Sequence, residues 1–196
     1  MLKIGVTGNI GSGKSQVCRI FELLGIPVYY ADEKAKELMI NNKDLVSSIK
    51  TLIGTESYFS DGGLNTAFIS ERIFKDKSLL EQLNAWVHPA VAFDFMDWCL
   101  AQQSQYVIKE AALLYESGSY KDLDEIIMVT APEKLRIQRV IGRDGMTEKQ
   151  VLMRIRNQMD EKLKIEKADY IIRNDGDAFL VRQILKLHNH FLNQSF

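Results

Sequence analysis

Between Gly8 and Ser15 the chain reads GNIGSGKS, which puts glycine, glycine, lysine and serine at the fixed positions of the phosphate-cradling pattern G-x-x-x-x-G-K-[ST]. No other stretch restricts the fold as much. The pattern works where a strand runs into a tight loop that opens a helix. Its glycines let backbone N–H groups converge on an anion, and the helix start adds its positive dipole end. The flanks supply both elements: residues 2–7 read as a strand, and Val17, Ile20, Phe21 and Leu24 recur at one-sided helical spacing. Gly11, Ser12 and Gly13 would then line a nucleoside triphosphate, Lys14 would reach its β- and γ-phosphates, and Ser15 would hold magnesium.

The remaining chain extends this start into an α/β fold. Gly25 stops the first helix, and a second strand, residues 27–30, ends at Ala31 and Asp32, so both the loop and Asp32 fall at strand carboxyl ends, where open α/β sheets bind ligands. Further strands are expected at 106–109, closing on Glu110, at 125–130 and at 170–173. The long stretch between the second and third strands reads as helix with breaks. Leu45, Ile49, Leu52 and Ile53 form one stripe stopped at Gly54. Ser78 with Glu81 reads as a capping box, and Pro89, after His88, reads as the start of a separate helix through Phe95 and Trp98. That is far more chain than a crossover needs. Later, Pro132 starts a helix ending near Gly142. Thr147 with Gln150 caps another, whose apolar side is Val151, Leu152, Ile155 and Met159, and Leu180, Ile184, Leu187 and Phe191 mark the last. The expected architecture is a five-stranded parallel sheet flanked by helices, with core 1–31, 104–134 and 168–196, an inserted helical acceptor-binding lobe 32–103 and a helical lid 135–167.

At 196 residues, 46% hydrophobic and 26% charged, the chain suits one globular domain with insertions. Net charge is -1, yet residues 134–167 hold ten Lys/Arg against five Asp/Glu. Such a segment could meet a polyanion or be a solvated helical face; a domain that is not basic overall argues against nucleic acid. Cys18 and Cys99 lack the number and spacing of a disulfide framework or metal site and fall on apolar helix patterns, so buried thiols are expected. The first strand begins at residue 2 and no apolar run reaches membrane-span length, from which a cytoplasmic protein without membrane association is expected.

GTPases need an Asp-x-x-Gly switch and an Asn-Lys-x-Asp base reader, and neither spacing occurs. A small-molecule kinase needs a base near the acceptor hydroxyl, magnesium and cations around the moving phosphoryl group. Asp32 is placed for the first, and equally to cap a helix beginning at Glu33. Glu110 could hold a magnesium-bound water, cap its loop or pair with Lys109. Arg136, Arg139 and Arg143 share a helix face, either solvated or folding as a lid over ATP. His88 has no motif of its own.

Taken together the residues resemble the dephospho-CoA kinase family. The glycine loop, followed by Gln16, is similar to GGIGSGKS-T. Tyr30, Ala31 and Asp32 resemble Asp-Ala-Asp, with the second acid, the family's catalytic base, retained. Arg72, Ile73 and Phe74, the His88-Pro89 pair, and Ala112, Leu113, Leu114, Tyr115 and Glu116 resemble Arg-Ile-Phe, His-Pro and Pro-Leu-Leu-x-Glu. Gln138, Arg139, Arg143 and Asp144 resemble Q-R-x-x-x-R-D, and Gln158 with Met159, Ala168 with Asp169, and the 172–176 turn also correspond. The resemblance implies ATP- and magnesium-dependent phosphorylation of the 3'-hydroxyl of dephospho-CoA, completing coenzyme A synthesis. It implies Arg143 and Asn174 near the ATP base, Arg139 closing from the lid, and Arg72, His88, Leu113 and Glu116 with Asp32 on the acceptor. No obligate protein partner is implied. Four positions depart from the pattern: Asn9, Gln16, Tyr30 and Ala112. Asn9 stands for a glycine and is expected to adopt that glycine's conformation, which Asn tolerates best. Another nucleoside or metabolite kinase of this fold, or a nucleotide-binding regulatory module, is the alternative.

Overall fold

The computed structural model describes residues 1–194; residues 195 and 196, part of the expected core, lie outside the described residues. In chain order the elements are β1 Leu2–Thr7, α1 Lys14–Leu23, β2 Val28–Tyr30, α2 Ala31–Asn41, α3 Lys43–Ile53, α4 Thr66–Lys75, α5 Lys77–Leu100, β3 Tyr106–Glu110, β4 Glu125–Thr130, α6 Glu133–Asp144, α7 Glu148–Arg156, α8 Glu161–Lys167, β5 Tyr170–Arg173 and α9 Leu180–Gln194, with 3-10 turns at Thr55–Ser57 and Ser119–Asp122. The chain divides into two compact units, residues 1–30 with 101–196, and residues 31–100.

The first unit holds one sheet in the order β2-β3-β1-β4-β5, every pair parallel. All five strands were legible as short apolar runs; in the central β1, β3 and β4 burial is nearly continuous, which favours Val/Ile segments. On one face Ile4, Val6, Tyr106, Ile108, Ile127, Val129 and Ile172 pack with Val17, Cys18 and Phe21 of α1 and Ile184 and Phe191 of α9. Phe21 meets Tyr106 edge-on at 6.3 Å between centroids, an arrangement that lets the positive ring edge face the negative ring face. On the opposite face Gly5 lies so close to Leu123 and Leu114 that an added Cβ would approach them to 2.7 and 2.9 Å. Cys18 and Cys99 are buried and outside any disulfide.

The second unit is helical. Its central element is α5, which contacts α2, α3 and α4. Here expectation and structure part. One helix of 24 residues replaces the two expected, with Pro89 inside it. Leu83, Val87, Val91, Phe95 and Cys99 form an unbroken buried ridge at four-residue spacing, and packing along that ridge outweighs the roughly 3 kcal/mol that an internal proline costs. The expected Ser78–Glu81 box is also replaced: the Asp76 carboxylate accepts from the Ser78 amide at 2.9 Å. Asn42 caps α3 through the Leu45 amide at 3.0 Å, and α3 ends at Gly54 as its stripe required.

In the first unit α6 continues past Gly142 to Asp144, with Gly145 as a left-handed cap. The Thr147–Gln150 capping box forms, but α7 stops at Arg156, leaving Met159 outside it, and α8 was not foreseen.

Candidate active site

The phosphate loop follows from the strand–helix junction. β1 ends at Thr7, whose hydroxyl donates to the Ala111 carbonyl at 2.9 Å, fixing the strand end beside β3. The loop then folds on itself, the Ser12 amide donating to the Asn9 carbonyl at 3.0 Å. Gly13, left-handed at φ 93°, immediately precedes α1. Its carbonyl accepts from the amides of Gln16 and Val17 at 3.0 and 3.2 Å, while the opening amides of the helix have no turn behind them to bond. That leaves donors and a dipole end for an anion. Asn9, expected to take a left-handed conformation, does not: no non-glycine residue among the described residues has positive φ. The conformational demand falls on glycines Gly11 and Gly13 instead, and Asn9 is buried with its Oδ1 lacking a hydrogen-bond partner.

Lys14 leans over this loop. Its Nζ donates to the Gly8 carbonyl at 3.2 Å and lies 3.7 Å from Glu110 Oε1, both side chains nearly buried. Glu110 is the last residue of β3, in register with Val6 on one side and Tyr30 on the other. Burial first, and then the Glu110 charge, push the neighbouring Cys18 thiol far above its ordinary value, so it stays protonated. Ser15 and Gln16 are exposed at the helix start.

From the far end of the sheet Asn174 reaches the same loop. Its backbone amide continues the β4 ladder to the Thr130 carbonyl at 2.8 Å. Its Nδ2 donates to the Ser12 carbonyl at 2.9 Å and to Gln16 Oε1 at 3.4 Å. Arg139 on α6 donates to the Asn174 carbonyl at 3.1 Å and to the Gly11 carbonyl at 3.5 Å. Residues 8–16, Glu110, Arg139 and Asn174 therefore form one cluster. Arg143, one turn further along α6, is exposed and bidentate on Asp144 at 2.7 and 2.9 Å. Arg136 does not join an exposed arginine face: it is buried, bonding the Ala131 carbonyl at 3.1 Å and Glu161 at 2.9 Å.

The remaining expected residues have surroundings of their own. Leu113 is exposed in the segment after β3. The Glu116 carboxylate pairs with the fully buried Lys164 at 2.7 Å and accepts from the Met159 amide at 2.9 Å. Burial alone would raise its pKa, but those two partners hold it below the ordinary carboxylate value. In the helical unit, Asp32 sits in the first turn of α2, which starts at Ala31 directly after β2, so Asp32 is not the cap of a helix beginning at Glu33. Arg72 lies in the last turn of α4 with its guanidinium 5.8 Å from the Phe68 ring centre, and His88 is exposed within α5 beside Pro89.

Two contacts had no signal in spacing or periodicity: the Lys164–Glu116 pair, and Gln158, whose Oε1 accepts from the Ile10 amide at 2.9 Å across 148 residues. Only the family correspondence marked Gln158. Among the described residues no cluster of three or more His, Cys, Asp or Glu could hold a metal. A serine hydroxyl and one carboxylate fit an ion that draws its other ligands from phosphate oxygens and water.

This geometry has relatives. A curated dephospho-CoA kinase of Bacteroides fragilis is 38% identical over 187 residues, covering 95% of this chain and 91% of its own. The dephospho-CoA kinase of Salinibacter ruber is 38% identical over 179 residues, covering 90% of each. A Thermus thermophilus crystal structure superposes with a TM-score of 0.87 at 32% identity, over 97% of both chains. The dephospho-CoA kinase structure from Campylobacter jejuni shares the fold, with a TM-score of 0.73 at 23% identity over 99% of this chain and 98% of its own. The family model described as dephospho-CoA kinase matches residues 2–179, a span that contains every residue of the cluster around the phosphate loop, and the chain belongs to that family.

Proposed function

We propose that the protein transfers the γ-phosphoryl group of ATP to the 3'-hydroxyl of dephospho-CoA, giving coenzyme A and ADP. The observation that carries this reading is the cluster in which the phosphate loop, Lys14, Arg139 and Asn174 meet, in a chain of the dephospho-CoA kinase family. Transfer of this kind rests on positioning and charge neutralisation, because charge spreads over the equatorial oxygens in flight. The loop amides between Gly11 and Ser15, apart from that of Ser12, which stays on the Asn9 carbonyl, bind the phosphates, and Lys14, already held over the loop, exchanges its Gly8 carbonyl contact for phosphate oxygens.

Arg139 closes on the transferring group, while Arg143 and Asn174 border the purine. Asp32 accepts the proton of the acceptor hydroxyl. Arg72, His88 and Leu113 are assigned to the acceptor. Ser15, and Glu110 through water, would hold a magnesium ion, which would supply charge neutralisation to the phosphates. The enclosing lid keeps out water, a competing acceptor. The ATP supply for such a reaction is cytoplasmic, where we place the protein.

The test is ADP release under magnesium with dephospho-CoA, with AMP, with shikimate and with no acceptor. Release that depends on dephospho-CoA is expected. ATP binding with no acceptor-dependent release, or a preference for AMP or shikimate, would overturn the reading.

A further inference from the structure

We propose that Gln158 is a positioning residue that fixes the crest of the phosphate loop, and that Glu116 acts through it rather than on the acceptor. The proposal rests on the kinase reading above. The peptide unit joining Asn9 to Ile10 is pinned at both ends. Its carbonyl accepts from the Ser12 amide at 3.0 Å, inside the loop. Its N–H donates to Gln158 Oε1 at 2.9 Å, outside it. With both ends held, the plane cannot rotate, and the following amides keep the orientation in which they meet an anion. Without Gln158 only the Ser12 contact remains.

The acceptor end is itself anchored. Gln158 lies in the short connection between α7 and α8, where its amide bonds the Ile155 carbonyl at 3.1 Å. The next residue, Met159, donates its amide to Glu116 at 2.9 Å. Glu116 is paired at 2.7 Å with Lys164, a fully buried lysine on α8. Asp160 then caps α8 through the Lys162 amide at 2.7 Å. Both contacts converge on Oε1 of Glu116, so this oxygen ties the start of the segment that carries Gln158 to α8. Gln158 and Asn9 also line a cavity of about 650 Å³, so water can reach the Ile10 amide when the glutamine acceptor is removed. The variant should therefore fold.

The experiment compares wild type, Gln158→Leu, Glu116→Gln and the double variant by steady-state kinetics with ATP and dephospho-CoA, thermal unfolding, and calorimetric titration with ATP. Loss of one neutral hydrogen bond predicts a fall of roughly threefold to tenfold in kcat/KM for ATP with Gln158→Leu. KM for dephospho-CoA should stay within about twofold and the unfolding midpoint should be nearly unmoved, which a purely structural role would not produce. Glu116→Gln should shift the same parameter, and the double variant should be no worse than Gln158→Leu alone, as expected of groups acting in series. Unchanged kcat/KM for ATP in Gln158→Leu would overturn the inference. So would a raised KM for dephospho-CoA in Glu116→Gln that multiplies with Gln158→Leu, since that puts Glu116 on the acceptor. Should Glu116→Gln fail to fold, the Gln158→Leu comparison decides. If wild type transfers nothing to dephospho-CoA, the kinase reading has failed, and calorimetry still decides this one: weaker ATP binding by Gln158→Leu supports it, and equal binding overturns it.

Discussion

A methyl group has no place at Gly13. The backbone there is left-handed at φ 93°, and an added Cβ would overlap Nδ2 of Asn174. Asn174 would have to withdraw, giving up its bond to the Ser12 carbonyl. Gly13→Ala should therefore weaken ATP binding by at least about tenfold, a bound set by one lost hydrogen bond plus backbone strain, while circular dichroism shows the fold retained; unchanged affinity in calorimetry would contradict this placement. Asp32 gives the complementary case. Standing in the first turn of α2, it is proposed to handle a proton and not to bind ATP. Asp32→Asn should keep ATP affinity within about twofold and lower kcat by roughly 10²–10⁴, the usual contribution of a positioned base. Single-turnover rates with dephospho-CoA check it. The glycine and lysine positions of the site were legible because local backbone geometry dictates them. Asn9 was not, because a resemblance at one position says nothing of which neighbour carries the positive φ. Arg136 and Lys164 were hidden for another reason: helical spacing marks a shared face, but only tertiary structure shows that Glu161 and Glu116 are waiting for them.

At the scale of elements, most signals confined to a few residues were read correctly, the Ser78–Glu81 box excepted, and continuity set by packing was not. The Thr147–Gln150 box and the Asn174 turn after β5 are local. The continuity of α5 is not, since Pro89 is a break signal overridden by a buried ridge from Leu83 to Cys99. That conflict is measurable. Pro89 withholds the amide that would bond the Ala85 carbonyl, and it is exposed, so its ring packs into no core. Restoring the amide recovers part of the roughly 3 kcal/mol helix penalty, offset by up to about 1 kcal/mol from a freer unfolded chain. Pro89→Ala should thus raise stability by about 1–2 kcal/mol in urea unfolding, and a lower midpoint would count against it.

Across the whole molecule, each unit has its own core, and the nucleotide is proposed to bind the one containing the sheet. That core has a pH-sensitive seam where Tyr106 of β3 bonds His188 Nδ1 of α9 at 2.7 Å. Burial lowers the His188 pKa below its ordinary value of 6.5. The unfolded chain therefore takes up this proton first as pH falls. The seam's contribution is complete above about pH 6.5 and declines as pH drops toward the folded value. His188→Gln retains an acceptor without a titrating ring, so the difference in unfolding midpoint between the two proteins should shift in favour of the variant below pH 6.5; a pH-independent difference would exclude the seam.

Ligand linkage then tests the division of labour among the units. A ligand bound only to the folded state at a hundred times its Kd adds about 2.7 kcal/mol, which for a chain of this size raises the unfolding midpoint by roughly 5–10 °C. ATP should do so for wild type and equally for Asp32→Asn, whose carboxylate is proposed to serve the acceptor. It should do much less for Lys14→Ala, where the cation that leans over the loop at 3.2 Å from the Gly8 carbonyl is gone. Equal shifts in all three proteins would mean that ATP binds without the loop lysine, and the cluster of phosphate loop, Arg139 and Asn174 would lose its assignment as the nucleotide site.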